Sequence, residues 1–219
     1  MTKVKICGLK KLEHALIATE TGASFLGFVF VEGVRRKISP FDANELITGL
    51  KERYTGDFPK LVGLFANQAS SYVNQVVSQC DLDIVQLCGD EGPEYWSSIN
   101  CSIIKQVKMD SEGKGRDELS HIKSQVDDIT EAGHTPLLDS YERGALGGTG
   151  KTFDWSMAKL VSGHQQIILA GGLTSDNVNS AIKTVQPWAV DVSSGVETDG
   201  QKDELKLRNF INNALNASK

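Results

Sequence analysis

Val4-Lys5-Ile6-Cys7-Gly8-Leu9 opens the chain with a short apolar run that closes on an ionisable residue. The run is too short for a helix and is β-branched at Val4 and Ile6, so it reads as a strand that presents its last side chain to a site. The same ending returns in Leu137-Leu138-Asp139 and in Ala189-Val190-Asp191. Outward from these three, short apolar runs alternate with longer stretches of helical spacing, the pattern of βα units around a parallel sheet. Strands are expected over 3–8, 24–30, 60–66, 83–88, 102–108, 135–139, 166–171 and 188–193. Helices are expected over 11–21, 40–53, 70–80, 92–99, 116–131, 154–162, 175–185 and 202–217, with Ser39-Pro40, Asp154 and Ser175 offering N-cap or first-turn chemistry.

Eight such units close a barrel. The competing architecture, an open doubly wound sheet, usually has fewer strands and a glycine-rich turn straight after the first, where Gly8 stands alone. The expectation is therefore an α/β protein, a single-domain (β/α)8 TIM barrel spanning residues 1–219. At roughly 27 residues per unit it leaves little space for an extra domain.

Bulk composition narrows the partners. With 40% hydrophobic residues the chain can bury a substantial core, and its net charge of −5 with 23 scattered basic residues gives no cationic footprint for nucleic acid. Cys7, Cys80, Cys88 and Cys101 form no CxxC pair, which fits reduced thiols and supports neither a disulfide frame nor zinc. No apolar run approaches the ~18 residues that span a bilayer, and the first strand begins too early to leave room for a signal peptide. A cytoplasmic protein with a small-molecule ligand, no metal and no membrane partner is expected, as either a monomer or a homodimer.

Alternate side chains of a strand face opposite sides, so Lys5 shares a face with Cys7, and Asp191 with Ala189 and Ser193. In a barrel the inward residues at the C-terminal strand ends build the site, so Cys7, Asp139 and Asp191 are expected to converge. A lone strand cysteine is most often a small core hydrophobe. To act as a base it must be a thiolate, which calls for a neighbouring cation; Lys5 and Arg36 are the candidates. Asp139 and Asp191 taken singly read as loop caps or halves of an ion pair. In one closed pocket their pKa values can separate, leaving one carboxyl protonated as an acid.

Glycine-bearing turns follow the last two strands, Ala170-Gly171-Gly172-Leu173 and Ser193-Ser194-Gly195-Val196. Loops in these positions of a barrel often hold a phosphate on exposed backbone N–H groups, although the glycines also serve tight turns and the serines also cap. A further cluster, Gly144 to Thr152, superficially suggests a nucleotide loop. It lacks the strand ending and helix start that such a loop requires, and it reads instead as a mobile loop over the barrel mouth. Arg35-Arg36-Lys37 is either a solvated basic run or a guanidinium aimed at a ligand carboxylate. The four histidines lie on helices or helix ends and read as surface residues, and Trp96, Trp155 and Trp188 as packing.

Taken together, KICGL at 5–9, GFVF at 27–30, RRKISP at 35–40, GLF at 63–65, QLCGDE at 86–91, LLD at 137–139, GGTGKTFDW at 147–155, AGGL at 170–173 and DVSSGVE at 191–197 closely resemble the phosphoribosylanthranilate isomerases of tryptophan biosynthesis. The resemblance runs in order over nearly the whole chain. It implies a cofactor-free Amadori rearrangement of a phosphorylated sugar-anthranilate, with Cys7 as general base and Asp139 as general acid. It also places Arg36 at the anthranilate carboxylate, Asp191 at the mouth, and the phosphate around Gly172 and Ser193, Ser194 and Gly195, helped by Gly147 and Gly148. One departure is Cys88, where the family usually carries histidine, which puts any anthranilate contact there in doubt; another is Lys37 in place of a frequent aromatic. Three other readings compete. A histidine-pathway isomerase barrel would use aspartate where Cys7 stands, a non-catalytic phosphate binder would need neither Cys7 nor Asp139, and a thiol-redox role lacks a partner cysteine close in sequence.

Overall fold

The computed structural model describes residues 1–110, 116–141, 155–162 and 166–217. Eight parallel strands close into a barrel in chain order: β1 (Lys3–Cys7), β2 (Phe25–Val29), β3 (Lys60–Phe65), β4 (Ile84–Leu87), β5 (Ser102–Asp110), β6 (Thr135–Tyr141), β7 (Ile168–Leu169) and β8 (Ala189–Val192). Helices α1 (Leu12–Thr21), α2 (Pro40–Arg53), α3 (Ser70–Cys80), α4 (Pro93–Trp96), α5 (Arg116–Glu131), α6 (Trp155–Ser162), α7 (Val178–Val185) and α8 (Glu204–Ala217) follow the strands in turn. This is the (β/α)8 barrel expected from the alternation of runs. No described helix is long and apolar enough to cross a membrane.

The strands face two cores. Phe25, Val62, Ile104, Leu137, Ile168 and Ala189 fill the barrel interior, while the opposite faces of the strands pack Val4, Ile6, Leu26, Leu138 and Val190 against the helices. That division follows from the period of two: each strand offers one set of side chains inward and the other outward. At the N-terminal end Trp188 leans on Phe25 with ring centroids 5.5 Å apart, and the Lys3 ammonium sits 4.7 Å from the Trp188 ring, sealing the interior from below.

Several boundaries differ from the sequence reading. Helix α2 begins where expected, because the Ser39 hydroxyl accepts from the Asp42 N–H at 3.1 Å and Pro40 occupies the first turn. Helix α4 is a single turn rather than 92–99. Helix α7 begins at Val178 rather than 175, and Ser175 does not cap it: the Asn177 side chain instead accepts from Thr174 N–H and donates to Gly172 O, closing the preceding loop. Helix α8 begins at Glu204 rather than 202, because Glu197–Thr198 and Gln201–Lys202 form a small antiparallel hairpin, β9 and β10, beyond a 3-10 turn at Ser194–Val196. Asp154 lies outside the described residues.

Candidate active site

Register carries the first site residues into place. Strand β1 pairs with β8 so that Lys5 stands level with Asp191, and with β2 so that Cys7 stands level with Gly27. Lys5 Nζ meets Asp191 Oδ1 at 3.0 Å, and the lysine is wholly removed from solvent. Gly27 supplies the room for this. A Cβ there would lie 3.0 Å from Cys7 Cα, 3.1 Å from its Sγ and 3.2 Å from Lys5 Nζ, so thiol and ammonium border the same small volume.

Asp139 comes from β6 and is bonded by its neighbour on β5: Gln106 Nε2 donates to Asp139 Oδ2 at 2.7 Å. Burial, reinforced by the negative Asp191, pushes the Asp139 carboxyl up to about 6, against the opposing pull of Gln106 and Lys5. Cys7 is likewise pushed above the ordinary thiol value by burial, while the Lys5 ammonium draws it down, Asp191 pushes it up and Lys202 draws it down again. Burial alone would lower Lys5, but Asp191 and Cys7 beside it prevail and its pKa rises, so it remains an ammonium across the working range. The two carboxyls differ in partner: Asp191 is held by the Lys5 ammonium, Asp139 by the neutral amide of Gln106.

The loops after β7 and β8 line one cleft together with Asp139. Gly171 and Gly172 have φ of 86° and 62°, and the cleft continues along Ser193, Ser194 and Gly195. The Ser193 hydroxyl donates to the Cys7 carbonyl oxygen at 3.2 Å, which ties this cleft to the end of β1. Gly147 and Gly148, with the rest of the 144–152 stretch, lie outside the described residues.

Within Arg35-Arg36-Lys37 the structure separates three fates. Lys37 pairs with Glu32 on the surface and Arg35 is largely exposed, whereas Arg36 is mostly buried and bonded through Nε and Nη2 to Glu197 at 2.7 and 2.9 Å. Cys88 is half-buried beside Gln86, whose Nε2 lies 3.4 Å from its sulfur, and burial pushes the Cys88 thiol up to about 12. It is therefore a neutral thiol, where a histidine would bring two ring nitrogens able to donate and accept.

Four residues were not anticipated. Gln86 and Gln106 face inward by the same alternation that selects Cys7, but an amide inside a strand gives no charge signal. Glu197 and Lys202 belong to the hairpin and pair at 3.0 Å; the Asp199-Gly200 turn between them was a usable hairpin signal.

Fold and site geometry first define a class: (β/α)8-barrel proteins with a buried thiol and ammonium and two carboxyls at the C-terminal strand ends beside a glycine-lined cleft. Comparison with known sequences then narrows it, and the chain belongs to the N-(5'-phosphoribosyl)anthranilate (PRA) isomerase family, whose profile matches residues 4–213. A relative from Trichlorobacter lovleyi named N-(5'-phosphoribosyl)anthranilate isomerase is 45% identical over 220 residues, covering 99% of this chain and all of that one. The crystal structure of the phosphoribosyl anthranilate isomerase from Thermotoga maritima superposes with a TM-score of 0.85 at 37% identity, over 99% of this chain and 100% of that one. Another phosphoribosyl anthranilate isomerase, solved in complex with reduced 1-(o-carboxyphenylamino)-1-deoxyribulose 5-phosphate, superposes with a TM-score of 0.79 at 33% identity, over 99% of this chain and 100% of that one.

Proposed function

We propose that the chain, acting as one catalytic domain over residues 1–219, converts N-(5'-phosphoribosyl)anthranilate to 1-(o-carboxyphenylamino)-1-deoxyribulose 5-phosphate, with Asp139 as general acid and Cys7 as general base. The observation that carries this reading is the burial of Asp139, which raises its carboxyl to about 6, in a pocket where Cys7 shares its face with a buried ammonium. Asp139 gives its proton to the furanose ring oxygen as the bond from that oxygen to C1 breaks, and the nitrogen lone pair closes a protonated Schiff base. Cys7 then takes the proton from C2, and the released electron pair forms the C1–C2 double bond and neutralises the nitrogen. The resulting enolamine becomes the ketose when its hydroxyl proton leaves and C1 gains one. C1 is reduced and C2 oxidised within one molecule, so the electrons balance internally.

The same reading places the phosphate on backbone N–H groups around Gly172 and Ser193, Ser194 and Gly195, with Gly147 and Gly148 assisting, and the anthranilate carboxylate at Arg36. Asp191 serves at the mouth by holding Lys5, and through it the charge balance at Cys7. The cleft geometry and positive φ at Gly171 and Gly172 support the phosphate assignment.

The test is the loss of fluorescence of freshly made phosphoribosylanthranilate with purified protein. Turnover by the unmodified chain is expected, and Cys7→Ser and Asp139→Asn each lose at least about a hundredfold in kcat, the scale of general acid–base contributions. An inactive unmodified protein refutes the isomerase reading; full activity in either variant removes that residue's role.

A further inference from the structure

We infer that Glu197 is a positioning residue for substrate binding: it orients the Arg36 guanidinium toward the substrate's carboxylate. This rests on the assignment of Arg36 to that carboxylate. Glu197 lies at the start of the small hairpin after β8, and its carboxylate is almost completely buried. It accepts from Arg36 Nε at 2.7 Å, Arg36 Nη2 at 2.9 Å, Arg35 Nη2 at 2.6 Å and Lys202 Nζ at 3.0 Å. The two bonds to Arg36 form the planar fork that fixes a guanidinium in direction as well as distance. Among the described residues the remaining nitrogen, Nη1, has no hydrogen-bond partner.

The anchoring also sets where Arg36 stands. Its Cδ passes over Gly8, the residue after the proposed base, at 2.6 Å from where a Cβ would be. Three cations meet one carboxylate here, so the cluster keeps a positive excess for an anionic ligand even with Glu197 ionised. Lys202 extends the same network to the phosphate side by donating to Ser193 O at 2.9 Å. An unanchored arginine would lose rotamer freedom on every binding event; Glu197 removes that freedom in advance.

Glu197→Asp keeps the charge and withdraws both oxygens by one methylene, so it isolates orientation. Its kcat and KM are measured alone and in an Arg36→Met background, with urea unfolding followed in parallel. The expected result is a KM raised about three- to tenfold with kcat held within about threefold, and no further change when Arg36 is already methionine. An equal loss in both backgrounds, an unchanged or lowered KM, or an activity loss that tracks unfolding overturns the inference. The Arg36→Met single variant separates the two claims: an unchanged KM there removes the carboxylate assignment itself.

Discussion

Lys5 Nζ and Asp191 Oδ1 form an ion pair of 3.0 Å inside the barrel, on neighbouring strands brought level by register rather than by sequence proximity. The pair divides the labour of the pocket. It satisfies one carboxylate with a full charge and supplies the ammonium beside Cys7, leaving Asp139 with the neutral Gln106 and a raised affinity for its proton. Lys5→Met removes one partner of a buried pair, and a loss of about 3–5 kcal/mol in urea unfolding is expected. Adding Asp191→Leu should return much of it; a double variant no more stable than Lys5→Met would contradict the pairing argument.

Asp139 should reduce stability at neutral pH. A folded-state pKa of about 6 against an ordinary 3.8 means that the folded chain holds the proton longer than the unfolded chain. Stability contributed by this group is then present below pH ~4 and is lost as pH rises through ~6. Asp139→Asn can still accept from Gln106 but carries no charge to desolvate. It should be more stable than the unmodified protein by up to about 3 kcal/mol at pH 8, with no advantage at pH 3.5, as read by denaturant unfolding at both pH values.

Gly27 should tolerate no side chain without damage to the chemistry. Alanine there must displace Cys7 Sγ and Lys5 Nζ, both within 3.2 Å of the new methyl group. Overpacking of this kind costs about 1–3 kcal/mol and leaves the fold in place. Gly27→Ala is expected to lose at least about tenfold in kcat while circular dichroism stays unchanged; retained kcat would show that thiol and ammonium need not share that volume.

Gln86 offers a complementary test, read in stability alone. Its Oε1 is buried and, among the described residues, has no hydrogen-bond partner. Replacing the amide with the similarly shaped methionine removes that unsatisfied acceptor and gives up only the long, weak donation to Cys88 Sγ at 3.4 Å, so Gln86→Met should unfold at higher urea, with a net gain of up to about 1 kcal/mol. A loss of stability would show that the amide is satisfied in the folded protein.

Much of this architecture is legible in the sequence. Eight apolar runs gave the barrel, and the period of two placed Cys7, Asp139 and Asp191 at one rim, because local pattern and strand alternation are properties of single segments. What stayed hidden depends on pairs distant along the chain. Arg36 and Glu197 are 161 residues apart, and nothing local in either motif reveals the fork between them. The sequence reading leaves the hairpin at 197–202 unassigned, with only Lys202 drawn into the last helix, because its strands are two residues each, too short for periodicity to register. Gln86 and Gln106 were missed because an uncharged side chain on an inward position looks like any other polar interruption of a strand.

The acid/base assignment is tested most directly by the pH dependence of kcat/KM. With Asp139 near 6 and Cys7 above the ordinary thiol value, the working form, thiolate with carboxylic acid, differs from the resting form only in where one proton sits. Below pH ~6 both groups are protonated and the base is lost; above the thiol pKa both are ionised and the acid is lost. The account predicts that kcat/KM rises with pH through about 6, reaches a plateau and falls in the alkaline range. A kcat/KM that instead falls as pH rises through 6 would contradict it.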